Sequence, residues 1–201
     1  MQKEFENIII IEDHSIMRNG LLDYFEKKDR FKIAGAADSI KDAKELISRA
    51  SCDIIILDLQ LKDGLGLALI PYIREMYEKK PVIAVYTAHS DYVHVSAAIG
   101  KGVDVYMHKY RGVEELENAI IKALNGEKYI DDLVESKLKL LSDFEDTLTR
   151  REKEIFVMVK NGKNNKQIAV SLGIKARTVE NILHCVYDKL GVHSRPELIE
   201  L

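Results

Sequence analysis

The chain has 201 residues, of which 46% are hydrophobic and 31% charged, the composition of a soluble globular protein with one or two domains. No apolar run is long enough to span a bilayer and the first residues lack a signal-peptide pattern, so we expect no membrane partner. Cys52 and Cys185 lie far apart and show no metal-ligand spacing, which predicts reduced thiols in a cytoplasmic protein.

The net charge of -3 conceals an uneven distribution. From Leu148 to the last residue the chain has ten Lys/Arg and six Asp/Glu, a balance of +4, whereas the rest has a balance of -7. An acidic body followed by a small basic segment indicates nucleic acid as a partner of that segment.

The first part of the chain alternates predicted strands and helices five times. Short apolar runs rich in β-branched residues predict strands at 7–12, 31–36, 53–58, 82–86 and 103–107. Apolar residues at helical spacing predict helices at 15–27, 39–50, 67–78, 91–100 and 113–124. This alternation predicts an α/β domain over residues 1–126, a five-stranded parallel sheet of flavodoxin-like order with helices on both faces.

The remaining residues predict a linker and a small helical domain. Residues 127–147 are acidic with spaced leucines (Leu133, Leu138 and Leu141), which predicts a partly helical linker. Residues 148–201 form the second predicted domain, and Thr149 with Glu152 three residues later is a capping-box pattern. Two short helices joined at a glycine turn there are typical of a helix-turn-helix.

Polar residues stand at the predicted carboxyl ends of four strands. Glu12 and Asp13 follow the first strand, Asp58 ends the third, and Thr87 and Lys109 follow the fourth and fifth. Taken singly, each is more simply a loop cap, but the carboxyl ends of parallel strands share one edge of the sheet. Three carboxylates there repel one another without a cation, and oxygen ligands favour Mg²⁺. The set predicts a phosphoryl-handling pocket with Asp58 as the candidate nucleophile.

Residues 7–126 resemble the receiver domain of two-component response regulators, and residues 12–21 (EDHSIMRNGL) resemble the opening motif of the NarL/FixJ class. The resemblance implies that Asp58 is the phosphoacceptor, phosphorylated by a histidine kinase, and that Glu12 and Asp13 serve with it in the Mg²⁺ site. It further implies that Thr87 and Lys109 bind the phosphoryl group.

The same resemblance implies roles for three further residues of this region. Tyr106 matches the aromatic residue that turns inward when Thr87 moves, although a half-buried strand residue is the simpler interpretation from the bare sequence. Gln60 and His89 lie two residues after Asp58 and Thr87, where the family tunes phosphoryl lifetime. A phosphatase of the haloacid dehalogenase type needs a second aspartate where Gln60 stands, so we do not expect an enzyme.

Residues 148–201 resemble the LuxR-type helix-turn-helix of the same class, with motifs at 148–152, 162–169, 178–181 and 189–192. The resemblance implies that residues 175–190 form the recognition helix in the major groove of double-stranded DNA. The candidate DNA-contacting residues are Lys163, Asn165, Lys166, Lys175, Arg177, Thr178, Asn181 and Lys189.

Two acidic residues depart from the pattern of the recognition helix. Glu180 replaces the usual lysine and Asp188 replaces a basic residue. Such carboxylates either weaken DNA binding by facing phosphates or read a cytosine amino group. The sequence therefore predicts a phosphorylation-controlled transcriptional regulator that forms a homodimer when active. The alternative is a receiver-switched module whose helical domain binds a protein.

Overall fold

The computed structural model of the chain describes residues 5–89, 92–132, 134–135 and 147–200. The chain divides into two units, Met1–Val134 and Glu135–Leu201. The predicted linker helix depends on Leu133, Leu138 and Leu141, which lie outside the described residues.

A parallel six-stranded sheet forms the centre of the first unit, with strand order β2-β1-β3-β6-β7-β8. The strands of this sheet are β1 Glu6–Ile11, β2 Phe31–Ala37, β3 Ile54–Leu57, β6 Val82–Thr87, β7 Val105–His108 and β8 Tyr129–Ile130. The predicted α/β fold class is confirmed, and the first five strands have the expected order. The short strand β8 is an addition that the sequence did not predict.

The four central strands, β1, β3, β6 and β7, are buried on both faces, as the apolar runs predicted, whereas the edge strands β2 and β8 are partly exposed. Ile8 and Ile10 pack in one core cluster with Phe25 of the first helix and Leu116 of the fifth, while Ile9 on the opposite face is also fully buried. The five helices of this unit are α1 Ser15–Glu26, α2 Ile40–Arg49, α3 Leu69–Met76, α4 Tyr92–Gly100 and α5 Val113–Leu124. Burial of both sheet faces leaves the strand ends as the places where polar side chains can collect.

Helix α3 is shorter than the predicted helix at 67–78. A single 3-10 turn, Gly66–Ala68, precedes it, and Pro71 lies within its first turn, where its missing N–H breaks no helical hydrogen bond. The helix ends at Met76 because Tyr77 takes an extended conformation. The Tyr77 hydroxyl donates to the backbone oxygen of Ala50 at 3.0 Å.

The loop after Asp58 forms a small hairpin, in which β4 Gln60–Leu61 pairs with β5 Gly64–Leu65. Its tip is anchored to the start of α2, because the Asp63 carboxylate accepts hydrogen bonds from the backbone N–H groups of Ile40 and Lys41 at 2.7 and 3.1 Å. The Lys62 ammonium also lies 2.5 Å from the Asp38 carboxylate. These contacts fix the chain on the carboxyl-terminal side of Asp58.

The second unit is helical. It contains α6 Arg150–Lys160, α7 Asn165–Leu172, α8 Ala176–Leu190 and α9 Arg195–Glu200. The predicted capping box is present, since Thr149 Oγ accepts from the Glu152 N–H at 3.4 Å and Glu152 Oε2 accepts from the Thr149 N–H at 2.6 Å.

Helices α7 and α8 form the predicted helix-turn-helix. Gly173 ends α7 with a φ of 64°, a left-handed conformation that glycine adopts at little cost. Phe156, Ile168 and Leu183, one from each of α6, α7 and α8, are buried in this unit. Among the described residues, no helix is both long and apolar enough to cross a membrane.

Gly66 provides a test of how closely the hairpin packs behind Asp58. A Cβ added at Gly66 would lie 2.3 Å from the Asp58 backbone oxygen, too close for real atoms. We expect Gly66→Ala to lower the free energy of unfolding by about 1–3 kcal/mol, as overpacking does. Chemical denaturation measures the change.

Gly20→Ala is the control, because nothing lies within 4 Å of the added Cβ and Gly20 stands inside α1. This control should leave stability unchanged or raise it by up to about 1 kcal/mol, since alanine favours helix. Equal stability of the two variants would contradict the close packing at Gly66.

Candidate functional site

An open cavity of about 480 Å³ lies at the carboxyl ends of the strands of the first unit. The residues that line it are Asp13, His14, Ile16, Met17, Asp58, Gln60, Thr87, Ala88, His89 and Lys109. Six of the eight residues predicted for the phosphoryl pocket or its tuning therefore line one cavity, Asp13 among them. The other two predicted residues, Glu12 and Tyr106, are buried, with 1% and 0% of their surface exposed.

Lys109 joins the two most buried carboxylates of the pocket. Its ammonium lies 2.6 Å from Glu12 Oε2 and 2.7 Å from Asp58 Oδ2, and its side chain is 14% exposed. Burial lowers the pKa of Lys109, but the hydrogen bonds to Asp58 and Glu12 outweigh it, so the pKa is raised. The pKa of Glu12 is also raised, mainly because the carboxyl group is buried. The hydrogen bond from Lys109 lowers this pKa, and the nearby charge of Asp58 raises it. Lys109 is therefore the cation that allows these carboxylates to lie together.

Asp58 itself is held on two sides. Its backbone N–H donates to the Ile11 oxygen at 2.9 Å, which continues the pairing between β1 and β3. Its Oδ1 accepts from the Gln60 N–H at 3.3 Å, while Oδ2 faces Lys109. The side chain thus reaches the cavity from a rigid strand end, with its two oxygens distinguished by different donors.

His89 connects three of the predicted residues. Its backbone N–H donates to Thr87 Oγ1 at 3.3 Å, and its backbone oxygen accepts from the Tyr106 hydroxyl at 2.9 Å. Its ring nitrogen Nε2 lies 3.1 Å from Gln60 Oε1, and its ring stacks on that of His94 with centroids 4.7 Å apart. Tyr106 is fully buried rather than half-buried, and its hydroxyl is satisfied by this hydrogen bond inside the unit.

The carboxylates of the pocket suit a hard divalent cation. Glu12, Asp13 and His14 each offer a ligand atom, and these atoms lie within 4.8 Å of one another. Asp58 lines the same open cavity as Asp13, which leaves space for the water ligands that Mg²⁺ retains. The donor set therefore fits Mg²⁺.

Sequence reasoning missed four residues of the cavity wall, namely His14, Ile16, Met17 and Ala88. His14 lies beside Asp13, with Nδ1 4.0 Å from Asp13 Oδ1, and Ile16 is 84% exposed at the start of α1. Both follow the acidic pair within four residues, and this proximity was the signal available in the sequence.

The predicted DNA-contacting residues of the second unit divide into two groups. Exposed residues at the start of α8 and on α7 are Lys166, Lys175, Arg177, Thr178 and Asn181. The second group contacts other residues of the same unit. It consists of Lys163 and Asn165, which are half-buried, and Lys189 near the end of α8. Asn165 Oδ1 accepts from Arg195 at 2.8 Å, the Lys163 ammonium donates to the Ser171 hydroxyl at 3.5 Å, and the Lys189 ammonium lies 2.7 Å from the Glu152 carboxylate. The exposed group therefore forms the candidate nucleic-acid surface.

A polar pocket at the carboxyl edge of a parallel sheet, together with a separate helix-turn-helix unit, defines a switch module joined to a nucleic-acid-binding module. Two family models match the chain in the same order. Residues 8–121 match the response regulator receiver domain, and residues 146–201 match the bacterial regulatory proteins of the luxR family. The chain belongs to the response regulators, and it carries a luxR-family regulatory domain.

Similar proteins of known sequence span the whole chain. The transcriptional regulatory protein YdfI of Bacillus subtilis (strain 168) is 30% identical over 96% of this chain and 93% of its own length. The transcriptional regulatory protein DesR of the same strain is 31% identical over 96% of this chain and 94% of its own length. Both units thus occur together, in the same order, in regulators of similar size.

Solved structures have the same fold. A structure of two RcsB dimers bound to two parallel DNAs covers 98% of this chain and 97% of its own, with a TM-score of 0.74 and 22% identity. RcsB from Salmonella enterica serovar Typhimurium, bound to the promoter P1flhDC with the phosphomimetic BeF3-, covers 97% of this chain and 96% of its own, with a TM-score of 0.73 and 23% identity. At this identity the likeness establishes the fold.

The Lys109 contacts generate a pH-dependent stability prediction. Lys109→Met leaves two buried carboxylates without their cation, so we expect a loss of about 3 kcal/mol in the free energy of unfolding near neutral pH without Mg²⁺. The raised pKa of Glu12 means that ionised Glu12 costs stability, and the cost grows as pH rises through that pKa. The loss should therefore shrink toward about pH 5, as denaturation at several pH values would show.

Lys28→Met is the matched control, because Lys28 pairs with Glu117 at 2.8 Å but is 37% exposed. We expect it to cost much less than Lys109→Met at each pH, because solvent screens an exposed ion pair. A Lys109→Met loss that is as small, or that does not depend on pH, would count against the role given to the Lys109 ammonium.

Proposed function

We propose that phosphorylation of Asp58 controls DNA binding by the helix-turn-helix unit. As a response regulator with a luxR-family domain, the protein is a DNA-binding transcriptional regulator. The observation that carries the residue assignment is the position of Asp58, 5% exposed at a strand end with Oδ2 2.7 Å from the Lys109 ammonium. This arrangement supports a nucleophilic carboxylate beside a fixed positive charge.

The phosphoryl donor is a phosphohistidine of a sensor kinase or a small acyl phosphate. An Asp58 oxygen attacks the phosphorus, a new O–P bond forms, and the bond from phosphorus to the donor's imidazole nitrogen or carboxylate oxygen breaks. The electron pair stays on the leaving group, which takes up a proton from solvent when it is an imidazole. Lys109 and the Thr87 hydroxyl lie where they can bind the oxygens of the transferred group.

Glu12, Asp13 and Asp58 would hold Mg²⁺, which supplies charge neutralisation between the acceptor carboxylate and the incoming phosphoryl group. The chain's own residues prepare for this by separating the two oxygens of Asp58. The Gln60 N–H occupies Oδ1 at 3.3 Å, while Oδ2 meets Lys109. Lys109 remains protonated throughout because its pKa is raised above the ordinary value for lysine.

The new phosphate changes the contacts of Thr87, and His89 carries that change further. Thr87 Oγ1 accepts the His89 N–H, and the His89 oxygen accepts the Tyr106 hydroxyl. A Thr87 hydroxyl that turns to a phosphate oxygen therefore disturbs the loop on which Tyr106 depends. The two arrangements form a two-state element whose balance phosphorylation shifts. Gln60 and His89, which line the same cavity, would limit water access to the acyl phosphate.

The active protein would bind double-stranded DNA as a homodimer on paired half-sites. Asn181 and Arg177, exposed on α8, are the proposed base-reading residues, and Lys166 and Lys175 the proposed phosphate contacts. Lys189 is a weaker candidate, because its ammonium lies 2.7 Å from the Glu152 carboxylate.

A protein-binding role for the helical unit is the second candidate. Glu180 and Asp188 are both exposed on α8, where carboxylates oppose binding to phosphates. Salt dependence separates the two functions, because DNA binding weakens steeply as salt displaces the protein from phosphates.

Asp58→Asn tests the acceptor assignment. We expect the variant to lose all phosphorylation by acetyl phosphate and Mg²⁺, because an amide cannot form the acyl phosphate. Intact-mass spectrometry would measure the added phosphate. Asp23→Asn, at an exposed position of α1, is the control and should be phosphorylated like the unaltered protein. Phosphate retained by Asp58→Asn would move the acceptor to another residue.

Two variants, one on α7 and one on α8, test the candidate nucleic-acid surface. The DNA used is a duplex selected from a random pool for binding to the unaltered protein. Asn181→Ala should cost about 1–3 kcal/mol for the selected sequence and little for unrelated DNA, because it removes a base contact. Lys166→Ala should weaken binding to both and reduce the salt slope by about one, because it removes a phosphate contact. Equal losses from Asn181→Ala on both DNAs, measured by fluorescence anisotropy, would remove its base-reading role.

A further inference from the structure

A buried carboxylate, that of Asp131, lies directly after strand β8 and outside the phosphoryl pocket. Asp131 is 0% exposed, and each of its oxygens receives a hydrogen bond. The Tyr110 hydroxyl donates to Oδ1 at 2.9 Å, and the Arg111 Nε donates to Oδ2 at 3.2 Å. The Arg111 guanidinium also lies 3.7 Å from the neighbouring Asp132, which is 82% exposed. A fully buried carboxylate is costly without such partners, so these contacts hold Asp131 in a defined place.

Both donors directly follow Lys109 in the chain. The Lys109 N–H donates to the Thr87 oxygen at 2.8 Å, which ends the pairing of β6 with β7. The Tyr86 hydroxyl donates to the Arg111 oxygen at 2.7 Å, so the loop is fixed from the sheet side as well. The loop that presents the Lys109 ammonium is therefore held at its start by the sheet and at its end by Asp131.

Asp131 is also tied to the strand that contains Tyr106. The Asp131 N–H donates to the Tyr106 oxygen at 2.9 Å, and Ile130 pairs with Tyr106 across β7 and β8. The residues that follow α5 thus contact two parts of the phosphoryl switch. One is the loop after Lys109, through the Asp131 side chain, and the other is Tyr106, through the Asp131 backbone.

We propose that Asp131 is a positioning residue for the phosphoryl pocket, which fixes Lys109 against Asp58 by holding Tyr110 and Arg111. The proposal rests on the proposed function of Asp58 and extends it to the chain after α5. A coupling of this kind is reciprocal, so a phosphoryl group that draws Lys109 toward it must also change how firmly the segment 129–132 is held. The segment that leaves the receiver unit thereby reports on the state of the pocket.

Three variants of the full-length chain test this assignment. Tyr110→Phe removes only the hydroxyl that bonds Asp131, and Tyr110 is 52% exposed, so the fold should tolerate the change. Asp131→Asn removes the negative charge facing Arg111. Asp132→Asn is the matched control, because it changes the adjacent and exposed carboxylate.

The first measurement is phosphorylation by acetyl phosphate and Mg²⁺ over a range of acetyl phosphate concentrations, followed by decay after the donor is removed. We expect Tyr110→Phe and Asp131→Asn to lower the rate at saturating donor by about two- to tenfold. The concentration that gives half the maximal rate should stay unchanged, because the donor-binding residues remain. Asp132→Asn should match the unaltered protein.

The second measurement is hydrogen exchange of residues 109–111 and 129–132, with and without beryllofluoride. Both segments should exchange faster in Tyr110→Phe and Asp131→Asn, and beryllofluoride should change exchange at 129–132 in the unaltered protein but less in these variants. Unchanged rates and unchanged exchange at 109–111 in folded variants would overturn the proposal.

The two proposals fail in distinguishable ways. If the unaltered protein takes up no phosphate, the assignment of Asp58 fails, while exchange at 109–111 still decides whether Asp131 holds the loop. If the unaltered protein is phosphorylated normally and Tyr110→Phe behaves identically in both measurements, only the role of Asp131 fails. Should Asp131→Asn not fold, Tyr110→Phe decides the question by itself.

Discussion

The receiver unit depends on one ammonium group that lies between two carboxylates. Glu12 and Asp58 come from different strands, and at 1% and 5% exposure neither can rely on water for its charge. Lys109, at 2.6 and 2.7 Å from them, places a compensating positive charge beside both at the end of a sheet that is otherwise apolar. In the proposed function, the same cation that makes the buried charges tolerable also binds the incoming phosphoryl group, which would link stability and chemistry in this pocket.

The connections around that cation explain how a local event can have a wider effect. His89 bonds Thr87 and Tyr106 through its backbone and Gln60 through its ring, so one loop residue touches a strand end, a buried aromatic and the hairpin after Asp58. The hairpin is in turn fixed at the start of α2 by Asp63. These contacts are the ones through which the proposed phosphorylation would shift the loop between two arrangements.

The sequence predicted those parts of the site that follow from strand order. Asp58, Thr87 and Lys109 could be placed together because parallel strands end at one edge of a sheet. Strand β8 could not be predicted, because two residues are too few to show a periodic pattern. The burial of Asp131 was equally hidden, since its partners lie 21 and 20 residues away and an isolated aspartate in a polar segment gives no signal.

Strand β8 has a practical consequence for anyone who wishes to study the receiver by itself. A fragment cut after α5 at residue 126 would leave β7 as an uncovered edge, with unpaired backbone groups that invite pairing with another chain. It would also leave Tyr110 and Arg111 without the carboxylate between them. A self-contained receiver fragment should therefore extend past Asp132, and aggregation of shorter fragments would reflect the cut rather than the natural behaviour of the domain.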